Sequence, residues 1–305
     1  MELFFVCKWR AMFSYVAYGL NIESEVHLPE LSAGRSTRPD VIVRRDRIDT
    51  FEPNITHRNH RACFDDIQFS YDGVGRFRVR RGREIVVAAE PGADSTFLRV
   101  CLLGPALAAL LHQRGLLVLH GSALKMNGQG IAFLGGKGWG KSTLAAYMHS
   151  RGHTFLADDL VALGARSGEP VQLTPGFPHL KLWPNSAIYL QLDLNKMTRL
   201  HPAVEKRGHR LDGDLPPALS NLRSIYVLDI GDREMIERLE PRQAFVELVR
   251  HTFLAGYLAP TGTAPVHLDQ CAKVVSSVPI YSLRRPRTLL RLPELAGLLE
   301  DHIAN

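Results

Sequence analysis

The sequence is poor in cysteine, and what it has is scattered. Cys7, Cys63, Cys101 and Cys271 form no CxxC pair. That excludes a zinc ribbon and a dense disulfide scaffold, and reads as reduced thiols in a cytoplasmic protein. Long apolar runs are missing too. The longest charge-free one, near 101–111, is shorter than the ~20 residues a membrane span needs. The opening MELFFVCKWRAMF has neither a long apolar core nor a small-residue cleavage site, so neither signal nor anchor is expected, and no membrane partner. There is no internal repeat, no low-complexity tract and no block of like charge. The net charge is +6, from 37 Lys+Arg against 31 Asp+Glu, and the basic residues are spread along the chain. This favours an anionic ligand or acidic partner over a dedicated nucleic-acid surface, so no nucleic acid is expected.

What is present is an ordinary folding composition. Of 305 residues, 45% are apolar and 22% charged, which excludes wholesale disorder and fits one large domain or two ordinary ones. Residues 1–96 read as a β-rich region. Ile67, Phe69 and Tyr71 alternate, Asp72-Gly73 turns, Phe77 and Val79 alternate, Arg81-Gly82 turns, and Ile85-Val86-Val87 follows: the pattern of an antiparallel meander. Residues 97–114 read as a buried helix, apolar nearly all round and closed by Gly115. From Leu116 onward the pattern becomes α/β. LLVLHGSALKM and GIAFLGG form a hairpin across Asn127-Gly128; KSTLAAYMHSR is helical; HTFLADDLVAL and SIYVLDI are buried strands. Strands alternating with helices predict a largely parallel sheet over 97–305. Residues 164–222, rich in Pro and Gly with no clean period, predict loops with short helices.

The strongest signal is Gly135-Gly136-Lys137-Gly138-Trp139-Gly140-Lys141-Ser142, which fits GxxxxGK[ST] between an apolar strand and a helix. A polyphosphate needs many N–H donors aimed at it from close range, and glycine lets the backbone curl and approach that near. The helix opening at Lys141, with Thr143 in its first turn, adds its positive end. Lys141 reaches the β- and γ-phosphates and the Ser142 hydroxyl suits Mg²⁺. Nucleotide contacts are therefore expected from Gly135 to Thr143, with Trp139 packing over the loop or under a base.

Asp158 and Asp159 follow at a strand's carboxyl end, where ligands of open α/β sheets bind. Adjacent strand residues face opposite ways, so the pair is expected to divide its labour between Mg²⁺ and an attacking hydroxyl. By contrast Asp65-Asp66 reads as a turn. The hairpin register places His120 opposite residues 135–137, in reach of the γ-phosphate or the Asp158 carboxylate. Two histidine groupings have metal-like spacing, His57/His60/Cys63 and His149/His153, but no motif completes either one. Arg284, Arg285 and Arg287 read as a solvated basic run, with phosphate or acidic-substrate contact as the alternative.

These residues carry a family resemblance. His120-Gly121, the loop Gly135–Ser142, Arg151-Gly152-His153 and Asp158-Asp159 resemble the core of the HPr serine kinase/phosphorylase family. Tyr18-Gly19-Leu20, Leu28-Pro29-Glu30-Leu31, Gln113-Arg114-Gly115 and Lys181-Leu182-Trp183-Pro184 resemble the branch that includes precursor-peptide kinases of lasso-peptide clusters. The resemblance implies an α/β phosphate-loop kinase core related to HPr kinase and phosphoenolpyruvate carboxykinase, behind a smaller β-rich N-terminal region. It implies transfer of the γ-phosphate of ATP, with Mg²⁺, to a serine of a peptide or small protein. Asp158 would be the base, His120 and Lys141 active-site residues, and Ser142 and Asp159 the metal side. Two departures stand out. PGFPHLKLWP replaces the family's Met-Glu-Ile-Arg-Gly segment, whose Glu ligates Mg²⁺, and the C-terminal Arg-Pro-Gly-Arg-Asn is missing. The likeness starts near Tyr18, so the first residues read as an upstream start before Met12. A small-molecule hydroxyl as acceptor and a nucleotide-gated binding module remain as alternatives, and a homo-oligomer is left open.

Overall fold

The computed structural model describes residues 11–34, 38–49, 60–166 and 168–304. Cys7, His57 and the opening segment therefore lie outside the described residues. Eight strands build the first sheet: β1 (Phe13–Ala17), β2 (Leu20–Ser24), β3 (Ser32–Ala33), β4 (Val41–Arg45), β5 (His60–Cys63), β6 (Asp66–Tyr71), β7 (Gly75–Arg80) and β8 (Glu84–Ala89). Their order is β3-β1-β2-β4-β8-β7-β6-β5. The expected meander is β6-β7-β8, antiparallel throughout. The Arg81-Gly82 turn has positive φ at both residues (51° and 60°), the backbone a tight hairpin asks for. One helix covers Ser95–Gln113. Its middle, Leu102–Ala106, widens to a π-turn around Pro105, which has no N–H to give the ladder, between α1 (Ser95–Cys101) and α2 (Leu107–Gln113). By length and composition this helix could cross a membrane, unlike the shorter run read from the sequence. Here it packs instead on the first sheet, and Leu102, Leu107, Leu110 and Leu111 are almost wholly buried in the same core as Phe77 and Val79.

The second sheet holds β9 (Leu117–Met126), β10 (Gln129–Leu134), β11 (Thr154–Gly164), β12 (Gln172–Thr174), β16 (Ser220–Ile230), β17 (Met235–Arg238) and β18 (Ile280–Arg285). Its order is β10-β9-β11-β12-β16-β18-β17, and β10 also pairs with β16. The expected largely parallel sheet is corrected: only β10–β16 and β16–β18 are parallel. The crossover through α3 (Lys141–Ser150) does carry the chain from β10 to a strand running the same way, but β9 lies between β10 and β11, antiparallel to both. Helices cover both faces. α3 and α7 (Leu292–Ala304) pack on Phe133, Tyr226 and Leu283, while α5 (Pro241–Arg250) and α6 (Ala264–Ser277) pack on Leu119, Leu134 and Ile225.

The stretch 164–222 also departs from expectation. Besides β12 and the short helix α4 (Pro184–Tyr189) it contains a third sheet, β13-β15-β14, from β13 (His179–Leu182), β14 (Thr198–His201) and β15 (Val204–Arg210). All four β13 residues are buried, and at four residues between Pro178 and Pro184 its alternation is too short to read as a strand.

Candidate functional site

The hairpin places the first group. Asn127 (φ 48°) and Gly128 (φ 81°) make a two-residue left-handed turn, and the ladder runs from Met126↔Gln129 to Gly121↔Leu134. The ladder ends there: at His120 the edge of β9 passes to the segment after α5, the His120 N–H donating to the His251 carbonyl at 2.7 Å, so the expected pairing opposite 135–137 does not form. At that end the chain leaves β10, curls through the glycines and enters α3. Gly138 and Gly140 sit at φ 80° and 87°. A Cβ on Gly140 would lie 2.5 Å from the Arg285 guanidinium, and one on Gly136 would lie 2.9 Å from the Trp139 ring. Both positions need glycine for space, and Gly140 for conformation as well. The Lys141 ammonium is folded into this curl, donating to the carbonyls of Gly135 (2.8 Å) and Gly136 (3.2 Å). Burial lowers its pKa.

The loop opens on a cavity of about 270 Å³. His120, Lys141, Ser142, Thr143, Asp158 and Asp159 all line it, with Lys137, Gly138 and Gly140 at its edge. Gly135 and Gly136 stand behind the lysine. Trp139 turns away, stacking over Gly135 and Gly136 and lining a separate cavity with Leu228 and Arg284. Of its two expected roles, the structure has it packing over the loop.

The Asp pair behaves differently from two ordinary strand residues. Asp159 has φ 73°, left-handed, and both carboxylates reach the same cavity instead of opposite faces. Asp158 faces α3: its Oδ1 accepts from the Ser142 hydroxyl (2.8 Å) and the Ser122 hydroxyl (2.7 Å), and its Oδ2 from the Lys181 amide (2.9 Å). Asp159 has other partners. Its Oδ2 accepts from Lys181 Nζ at 2.6 Å, and its Oδ1 is 3.6 Å from His120 Nε2. The carboxylate beside His120 is thus Asp159, not the expected Asp158. Burial alone would raise the Asp159 pKa, but Lys181 and His120 hold it far below the usual carboxylate range. Burial, helped by Lys141, lowers the His120 pKa.

Ser142 Oγ and Asp158 Oδ1 lie together beside the loop, and oxygen is the ligand a hard divalent cation such as Mg²⁺ prefers. Asp159 is engaged by an ammonium. No cluster of three or more His, Cys, Asp or Glu fit for a metal exists among the described residues. His149 Nδ1 bonds the His153 carbonyl at 2.9 Å, and His153 pairs with Glu300 (2.8 Å), so that grouping is structural. Asp65 and Asp66 serve a turn and an Arg78 pair, as expected.

Sequence reasoning missed two cations. Lys181 and Lys206 both line the cavity from the third sheet. The replacement segment PGFPHLKLWP carries Lys181, which was the available signal. Arg285 and Arg287 also line the cavity, so these two face it instead of forming a solvated run. Arg285 donates to the Trp139 carbonyl and pins the loop. Arg284 points outward to Asp229 and Glu237, both at 3.7 Å.

No family model matches the chain, and no curated protein does. Among solved structures, the HPr(Ser) kinase/phosphatase from Coxiella burnetii is similar over 61% of this chain and 90% of its own, at 11% identity and a TM-score of 0.33. The likeness is a loose one.

Proposed function

We propose that the protein is an ATP- and Mg²⁺-dependent kinase that passes the γ-phosphate to a serine hydroxyl of a peptide or small protein. The observation that carries this reading is a single cavity holding a glycine-cradled lysine, the Ser142–Asp158 bond and a second carboxylate beside a histidine. Loop amides from Gly135 to Thr143 hold the triphosphate, and Lys141 swings from its carbonyl acceptors to the β- and γ-phosphates. Ser142 and Asp159 are the residues that would hold Mg²⁺, which when bound neutralises phosphate charge. Arg285, Arg287 and Lys206 add positive charge around the transferring group. Asp158 takes the hydroxyl proton, with Asp159 toward the metal. One observation favours exchanging those two roles: Asp158 is the carboxylate bonded to Ser142, while Asp159 is held by Lys181.

The test is intact-mass detection of phosphate gained by short peptides encoded beside the gene, with Mg-ATP. Lys141→Met should abolish nucleotide binding. Asp158→Asn should keep binding and lower transfer by at least about 100-fold if it is the base. If Asp159→Asn is the slow transferrer, and Asp158→Asn instead raises the Mg²⁺ requirement, the roles are exchanged. ATP bound tightly by a protein that phosphorylates neither peptides nor metabolites would make it a nucleotide-gated module.

A further inference from the structure

The cavity carries apolar groups that the phosphate chemistry does not use. Trp183 is 42% exposed and lines it. It precedes α4, whose Ser186 hydroxyl accepts from Thr143 Oγ1 at 2.9 Å. That bond fixes Trp183 beside the first turn of α3. Thr288 and Leu289, just past Arg285 and Arg287 in the chain, line the same cavity. Among the lining residues Trp183 and Leu289 are the large apolar ones; the rest are charged, polar or glycine.

A triphosphate bound with its γ-group near Lys141 and Asp158 leads its α-phosphate toward Thr143, whose hydroxyl bonds Ser186 three residues after Trp183, so the nucleoside beyond it comes within reach of Trp183. A charged or small polar group would waste that surface, whereas a flat aromatic base would cover it. We propose that Trp183, backed by Leu289, forms a stacking subsite for the nucleobase. This rests on the nucleotide reading above and extends it to a side chain which that reading leaves idle. Stacking supplies affinity from the ring face and asks for no buried hydrogen-bond partner at the base edge.

The experiment is calorimetric titration of the full chain, with Mg²⁺, by a non-hydrolysable ATP analogue and separately by inorganic tripolyphosphate. Wild type, Trp183→Ala and Trp183→Phe are compared, with thermal unfolding as the check on folding. The expected result is a loss of roughly 5- to 100-fold in nucleotide affinity for Trp183→Ala. Tripolyphosphate affinity should change less than about twofold, and Trp183→Phe should restore most of the loss. Equal weakening of both ligands would make Trp183 a support of the loop, and no weakening of either would leave it outside the site; each result overturns the proposal. If Trp183→Ala no longer folds, Trp183→Phe against Trp183→Leu, similar in size but without a ring face, decides the matter by the same comparison. A wild type that binds tripolyphosphate as tightly as the nucleotide refutes the base subsite alone. One that binds neither refutes the kinase reading itself.

Discussion

At the residue scale the site is organised by Lys181. Its ammonium is 10% exposed and its amide and side chain serve Asp158 and Asp159 in turn. Burial would lower its pKa, but Asp159 pulls it upward, so the pair stays ionised. Lys181→Met removes one partner of a buried pair and leaves Asp159 uncompensated. The expected cost is about 3 kcal/mol in urea unfolding. Most of it should return in Lys181→Met/Asp159→Asn, where no lone charge remains. The pH dependence has a definite sign. The folded Asp159 pKa lies below its unfolded value, so this pair stabilises the fold above pH ~4 and its contribution is lost as the pH falls through the folded pKa. Lys181→Met should therefore lose most at neutral pH and converge on the wild type in acid. Equal destabilisation across pH 2–7 would show that packing, not charge, is what Lys181 supplies.

At the scale of elements, legibility tracks how local the signal is. The hairpin could be read because Asn127-Gly128 fixes both turn and register, and the phosphate loop because its glycines, lysine and serine are contiguous. The mate of His120 could not be read, since the left-handed φ of Asp159 breaks the alternation that assigns faces in a strand. Nor could β13, whose lysine is buried on contact with residues more than twenty positions away. The Arg151-Gly152-His153 turn after α3 was legible only as a motif; the structure supplies its physics. Arg151 donates to both oxygens of Glu300 (2.9 and 2.6 Å) and His153 reaches the same carboxylate, so α7 clamps the end of the helix whose start faces the cavity. Arg151 first, then His153, hold the Glu300 pKa at about 2. The clamp is partly exposed, so Glu300→Gln should cost only about 1 kcal/mol at pH 7. Because the folded pKa is depressed, that difference should persist above pH 5 and fade between pH ~4.5 and 2. A melting-temperature series over that range checks it.

At the scale of the whole molecule, the N-terminal region is joined to the rest by more than sequence. The expected boundary at 96/97 falls inside α1, and the helix it would release buries its apolar side against Phe77, Val79 and Ile85 of the first sheet. The same core runs on into Val118, Leu160 and Ala162 of the second sheet. Tyr18, at the tip of the β1–β2 turn, donates its hydroxyl to the Leu160 carbonyl at 3.0 Å, one residue beyond Asp159. On the far side of that carboxylate, Gly104 of the π-turn comes so close that an added Cβ would lie 3.9 Å from Asp159 Oδ2. The first sheet and its helix therefore form a wall behind the strained Asp159, outside the residues that line the cavity. A chain starting at residue 97 should lose that wall. It would expose a helix of mostly leucine and alanine and leave the Leu160 carbonyl without its donor. The expected result is an insoluble or non-cooperatively melting fragment that no longer binds nucleotide. A fragment 97–305 that melts cooperatively and binds ATP as the full chain does would show instead that the two regions fold independently, with the shared core a docking contact between them.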